Sequence, residues 1–391
     1  MQRKSLSLGS LLTAALVVVG CHELPTSPET LSPNAPALAR SAAARGGLTA
    51  LGATNRALPT LPSSVLPLSQ VFGEFPTRAI NPNDYVCSNE SSPVVAVLDA
   101  ELATTLADPA DRKRLLDMYA RYADLLPVYE AIYFQTPETP QYYGYDGDFT
   151  KAITKTERDI KRFWDIPSSQ IQVVAMHGTM LLDAERVYQT YLLFGFPPAV
   201  AVAYTKVVTE SLAASTTMNG GNYLFWTFNA VSARGDDIDD KIVMGDGILE
   251  AFAQIGFGDV APQAIFAHEF AHQIQFENQY FEDLGEVTPP EATRYTELMA
   301  DAMAAYYLTH ARGATLRQRR VAQFLEVFYQ LGDCGFTSAG HHGTPNQRLA
   351  AAQFGFRLAD EAQKQGHILS SEEFHELFLA YYPTLIAPDA Q

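Results

Sequence analysis

Pro262-Gln263-Ala264-Ile265-Phe266-Ala267-His268-Glu269-Phe270-Ala271-His272-Gln273-Ile274-Gln275 is the stretch on which the reading of this 391-residue chain turns. Ala264, Ala267, Ala271 and Ile274 recur at helical spacing and make one apolar face, while His268, His272 and Gln275 line a second. Pro262 suits the first turn of a helix, and Gly285 gives a stop beyond it. Two histidines four residues apart on a helix share a face and can grip one ion. Glu269, beside the first of them, can reach a water on that ion from the side.

Such a pair needs a third ligand, and Glu297 supplies one on a second helix running toward Leu308. Two histidines and a carboxylate suit zinc and leave a fourth position open for water. Asp301 lies one turn beyond Glu297 on the same face. It can accept the ring N–H of a ligand histidine and fix its orientation. Leu298, Met299, Ala302 and Tyr306 around it imply burial, where a carboxylate without a partner is costly.

The HExxH pattern followed by Glu-x-x-x-Asp resembles the gluzincins, the thermolysin-like zinc peptidases. A nearer resemblance is to bacterial neutral zinc metallopeptidases, with HEFGHxxQ, then ELxAD, then HG(T/S)xxQR. Here His268 to His272 continues to Gln275, Glu297-Leu298 precedes Ala300-Asp301, and His342-Gly343-Thr344-Pro345-Asn346-Gln347-Arg348 follows. Ala271 stands where that family has glycine. The match runs from about Ala264 to Arg348 and does not touch the N-terminal half. It implies a zincin-like core, Zn2+ on His268, His272 and Glu297, and hydrolysis of a peptide or protein substrate with Glu269 as general base. Ile242 to Met244, shortly before the zinc helix, is then a candidate edge strand for holding a substrate backbone.

The third motif has a plainer content as well. Thr344-Pro345-Asn346-Gln347 is a capping box with proline at the first helical position, so these residues read as structural. His341 and His342 precede the cap and need another explanation. His342 is a candidate catalytic donor toward the oxyanion of a tetrahedral intermediate, against a packing or surface role. Asp236, Asp237, Asp239 and Asp240 read as a solvated turn, since no calcium-loop pattern accompanies them. His177 reads as a satisfied structural histidine.

The amino terminus carries a separate signal. Arg3 and Lys4, the apolar run Leu11 to Val19, and Val18-Val19-Gly20-Cys21 read as a cleaved export segment over residues 1–21. The last four residues resemble the lipobox of bacterial lipoproteins, which implies lipidation of Cys21 and anchoring to a membrane through that lipid. His22, in place of aspartate, implies the outer membrane by the same resemblance. Pro25, Pro28, Pro33 and Pro36 mark residues 22–77 as an extended tether, with Val71, Phe72 and Phe75 leaving open an arm packed on the body. The exported setting permits a disulfide between the two remaining cysteines, Cys87 and Cys334, with two buried thiols as the alternative.

The body, residues 78–391, reads as α+β, mostly helical, with a small central sheet. Arg112 to Leu126, ended by Pro127, together with Phe149 to Trp164 and Asp183 to Phe194, read as helices. Ile171 to Met176, Tyr223 to Val231 and Ile242 to Met244 read as extended. The formal charge of −17 falls two units further with loss of Arg3 and Lys4, and argues against nucleic acid as a partner. Two rival readings stand beside the peptidase: a zinc-binding module without turnover, and a partner-binding surface lipoprotein whose HExxH is accidental.

Overall fold

A computed structural model describes residues 18–19, 92–235, 238–280, 288–316, 318–336, 340–365 and 367–388. Prolines and side-chain caps open most of its helices. In α1 (Pro93–Ala107) the Ser92 hydroxyl accepts from the Val95 N–H. In α2 (Pro109–Tyr119) Asp108 accepts from Ala110 and Asp111, both at 2.8 Å. Each cap satisfies donors that a helix start otherwise leaves bare. The helix expected to run to Leu126 stops at Tyr119, and Pro127 opens α3 (Leu126–Phe134) where it was expected to close its predecessor. The physical reason is that proline fits the first turn, where no intrahelical N–H is needed.

α4 (Thr150–Ile160) begins where the periodicity puts it but ends a turn before Trp164, and α5 (Ala184–Leu193, capped by Asp183) falls where expected. α6 (Pro198–Ala213) follows, and its end is tied to α2 by a buried carboxylate. Asp111 Oδ2 accepts from the Thr216 N–H, the Thr217 N–H and the Thr217 hydroxyl, each at 2.9 Å, and Oδ1 pairs with Arg114 at 2.6 Å. Burial alone would raise its pKa, but these bonds outweigh burial and lower it. Asp111→Ala is therefore expected to destabilise the fold by about 2–4 kcal/mol, because several buried donors lose a charged acceptor. A urea midpoint unchanged in that variant would contradict the role.

The sheet follows these helices and packs against the helix that carries the histidine pair. β1 (Val18–Val19), β2 (Gln172–Met176), β3 (Asn229–Gly235) and β4 (Ile238–Gly245) stand in the order β1-β3-β4-β2. β3 and β4 are antiparallel, with Val231 opposite Val243, and β2 runs parallel to β4, with Val174 opposite Val243. β1 adds only two residues beside Asn229 and Ala230, within the segment expected to be cleaved on export. Two expectations change here. Tyr223 to Val231 is not one extended run, since Leu224–Trp226 forms a 3-10 turn before β3 begins. Ile242 to Met244 sits on a central strand paired on both sides, so it offers no free edge. Lys241 on β4 reaches back to cap α3, donating to the carbonyls of Ile132 at 2.6 Å and Gln135 at 2.7 Å.

α7 (Asp246–Gln254) leads into α8 (Ala261–Asn278), which carries the histidine pair. Sequence periodicity implies an apolar face and a polar one, yet nearly every residue of α8 from Ala261 to Phe276 is buried. Several of its polar groups therefore have specific partners. α8 lies on β3, where the Ser232 hydroxyl donates to the Glu269 carbonyl at 2.5 Å, and Gln273 donates to the Lys241 carbonyl at 3.0 Å. It ends at Gln279 in the left-handed region, so the stop comes before Gly285, which lies outside the described residues.

α9 (Pro289–Thr309) opens on a Thr288/Glu291 capping box and packs against α8. α10 (Gln318–Gln330), α11 (Pro345–Gln365) and α12 (Ser371–Leu385) complete the body. Gly355 lets α11 lie directly on α9, since a Cβ there would meet the Ala302 carbonyl oxygen at 1.9 Å. Buried apolar side chains form one continuous core from Val94 in α1 to Leu385 in α12. Among the described residues no helix is long and apolar enough to cross a membrane.

Candidate metal centre

Helix geometry brings the three expected ligands together. His268 and His272 project from one face of α8, and Glu297 meets them from α9; all three are fully buried. The two Nε2 atoms are 3.1 Å apart, with Glu297 oxygens 3.3 Å from His268 Nε2 and 3.6 Å from His272 Nε2. Ligand bonds of about 2.05 Å in a tetrahedron put neighbouring donor atoms about 3.3 Å apart. The trio can thus hold a metal ion with little movement.

The outer hydrogen bonds say which atoms face inward. His268 Nδ1 lies 2.8 Å from Asp301 Oδ1, and His272 Nδ1 lies 2.9 Å from Gln275 Oε1. Both partners are acceptors, because Gln275 uses its amide nitrogen on the Thr296 carbonyl at 2.7 Å. Each imidazole therefore carries its proton on Nδ1 and turns a lone pair from Nε2 into the centre. Two lone pairs at 3.1 Å repel, and a cation between them removes that repulsion. Burial pushes both histidines well below their ordinary pKa, which keeps these lone pairs available.

Carboxylates complete the centre. Burial raises Glu297 well above the usual range, and it pushes Glu269 up to about 8. Neither oxygen of Glu269 and neither of Glu297 has a hydrogen-bond partner. In a fully buried pair of acids that is expensive, unless the oxygens serve a ligand.

Asp301 does what its spacing implied, and a residue outside the sequence-based site shares it. Arg348 from α11 grips Asp301 with two bonds of 2.7 Å, from Nε and Nη2, and its Nη1 donates to the Leu331 carbonyl at 3.2 Å. Nη2 also stands 3.7 Å from Glu297. Burial would lower the arginine's pKa, but Asp301 and Glu297 outweigh it and raise it. Arg348 was in view only as the last letter of the third motif. Its spacing from α9 could not be read without knowing that α11 lies on α9.

That motif otherwise divides as its letters suggested. The Thr344 hydroxyl accepts from the Gln347 N–H at 3.1 Å, and Gln347 Oε1 accepts from the Thr344 N–H at 3.0 Å. His341 and His342 are both buried, and both lean on Asp333, which sequence reasoning passed over. Asp333 Oδ1 lies 2.7 Å from His341 Nδ1; Oδ2 accepts from the His342 N–H at 2.7 Å and lies 3.2 Å from His342 Nδ1. Burial lowers His342, and Asp333 opposes it.

The remaining sequence candidates lie elsewhere. His177 pairs with Asp246 at 2.6 Å, beside α7. Asp240 pairs with Arg234 and Asp239 with Gln172, while Asp236 and Asp237 lie outside the described residues. Cys334 is disulfide-bonded; Cys87 and Cys21 both lie outside the described residues, as do the export segment apart from Val18–Val19 and the tether. No protein-family model matches the chain, and no curated protein or solved structure matches it.

Proposed function

We propose that this chain is a zinc-dependent peptidase of zincin-like build, with Glu269 as general base, working in an exported lipoprotein anchored through Cys21. The observation that carries the reading is the opposed pair of Nε2 lone pairs, closed by Glu297, beside a Glu269 carboxyl that has no partner of its own. His268, His272 and Glu297 would hold the ion. When bound, zinc acts as a Lewis acid and makes water nucleophilic near neutral pH.

The protein groups supply the rest. Glu269 takes the proton of the attacking water and returns it to the departing amine, so that one carboxyl serves as base and then as acid. Its raised pKa reflects burial, and a cation alongside brings it back toward the working range. Asp301 and Gln275 keep the two imidazoles in the tautomer that presents Nε2. His342 is held by Asp333 through Nδ1, so its Nε2 carries a proton only when the ring is charged. A donor role toward the oxyanion therefore belongs to the imidazolium, which Asp333 favours and burial opposes.

Retention of Glu269, which ion binding alone does not need, favours turnover over a passive zinc module. The test uses the full-length chain and an unfolded protein as substrate. Cleavage is expected, stopped by a chelator and restored by zinc. A metal-loaded, folded chain that cleaves neither an unfolded protein nor a peptide library would contradict the proposal.

A further inference from the structure

Among the described residues, Arg294 on α9 is a buried cation that the centre described above does not use. Arg294 is among the largest fully buried side chains, with 2% of its surface exposed. Its Nε and Nη1 are buried and have no hydrogen-bond partner. Arginine does not shed its proton in a protein, so burial here means a buried positive charge. Such a charge is normally matched by an anion, as Asp301 matches Arg348 a little further along the same face.

Its place on α9 says which anion. At about 100° per residue, Arg294 points about 60° round from Glu297 and about 40° from Leu298, on the arc between them. Glu297 faces the histidines of α8. Leu298 faces the turn after His342, where a Cβ on Gly343 would come 3.0 Å from its Cδ2. Tyr295, on another side of the helix, is committed to His375 of α12 at 2.7 Å. Arg294 is thus directed between the histidine helix and the His342 turn, about 4.5 Å from Glu297 along the axis and on the side toward the start of α9. Helical side chains lean toward the N-terminus, which carries the guanidinium further that way.

We infer that Arg294 is the specificity residue of the same site and binds a carboxylate of the substrate, one or two residues from the scissile bond. This rests on the peptidase reading above. A planar guanidinium whose Nε and Nη1 have no partner suits a carboxylate, whose two oxygens accept charge-assisted hydrogen bonds. Two sources share that chemistry: the terminal carboxylate of a peptide, or an aspartate or glutamate side chain. A substrate lacking the anion leaves the buried charge unmatched, so discrimination is steep.

The experiment uses the full chain and three N-acetylated peptides of one sequence: the free acid, its C-terminal amide, and an amide with an internal glutamate. Binding is read by thermal shift on zinc-loaded Glu269→Gln chain, and cleavage as kcat/KM on the wild type. The free acid or the glutamate peptide is expected to bind and react at least about tenfold better than the plain amide. Which of the two does so identifies the source. Arg294→Met is expected to erase that preference, so that the three peptides bind and react alike. It is also expected to fold with equal or greater thermal stability, since it removes an unmatched buried charge. Equal use of all three peptides by the wild type overturns the assignment. So does an Arg294→Met chain that is destabilised while keeping the preference. If no peptide is cleaved, the thermal-shift comparison still decides the role of Arg294, and only the peptidase reading fails.

Discussion

Glu269→Gln is expected to keep its zinc and its fold while losing about 10²–10⁴-fold in kcat, the usual worth of a general acid–base residue. The two side chains are nearly equal in volume, and the Glu269 carboxyl oxygens have no close hydrogen-bond partner, with Ser232 acting on them only weakly. Little structural is lost by the exchange, and removing a buried acid relieves desolvation. The effect should therefore fall on kcat with KM little changed, as for a group whose interaction is made in the transition state. Metal content and melting temperature are measured on the same preparation. Near-normal turnover in zinc-loaded Glu269→Gln would remove the general-base assignment.

The largest stability effect is expected at Asp301. Asp301→Ala strips Arg348 of both charge-assisted bonds and leaves His268 Nδ1 without its acceptor. Breaking a buried ion pair from one side costs about 3–5 kcal/mol, because the other charge stays behind. Loss of the histidine's orienting partner should weaken zinc by about 10–100-fold. The double variant Asp301→Leu/Arg348→Met separates these effects. It should recover most of the stability, since an apolar pair can fill the space, but not the zinc affinity. Recovery of both would mean that Asp301 serves only to neutralise Arg348.

The parts of the site that sequence reading reached are those held within one helix. His268 with His272, and Glu297 with Asp301, are each fixed by a spacing of four, so their common faces follow from the helical period alone. Gln275 was placed on the histidine face for the same reason. Partners that arrive from another element carry no such period. Arg348, Asp333 and Ser232 reach the centre only because α11, the turn before it and β3 pack where they do. The amphipathic reading of α8 was too narrow, since β3, α9 and neighbouring helices enclose it on all sides.

The errors in the fold have similar causes. Pro127 was read as a stop because proline breaks the interior of a helix, yet the same ring favours a first turn. Tyr223 to Val231 reads as extended from the sequence, while the hydrogen bond from Thr227 N–H back to Leu224 closes a turn that β-propensity does not foresee. The place of Ile242 to Met244 inside the sheet required knowing that β2, some seventy residues earlier, returns to pair with it. Pairing between distant strands is the information a single sequence carries most weakly.

The proposed zinc site is tested most directly by elemental analysis of the purified, folded chain after exhaustive exchange into metal-free buffer. The account predicts about one zinc per chain, retained in Glu269→Gln and lost in His272→Ala. A folded wild-type chain carrying no stoichiometric zinc, and taking none up when it is offered, would contradict it.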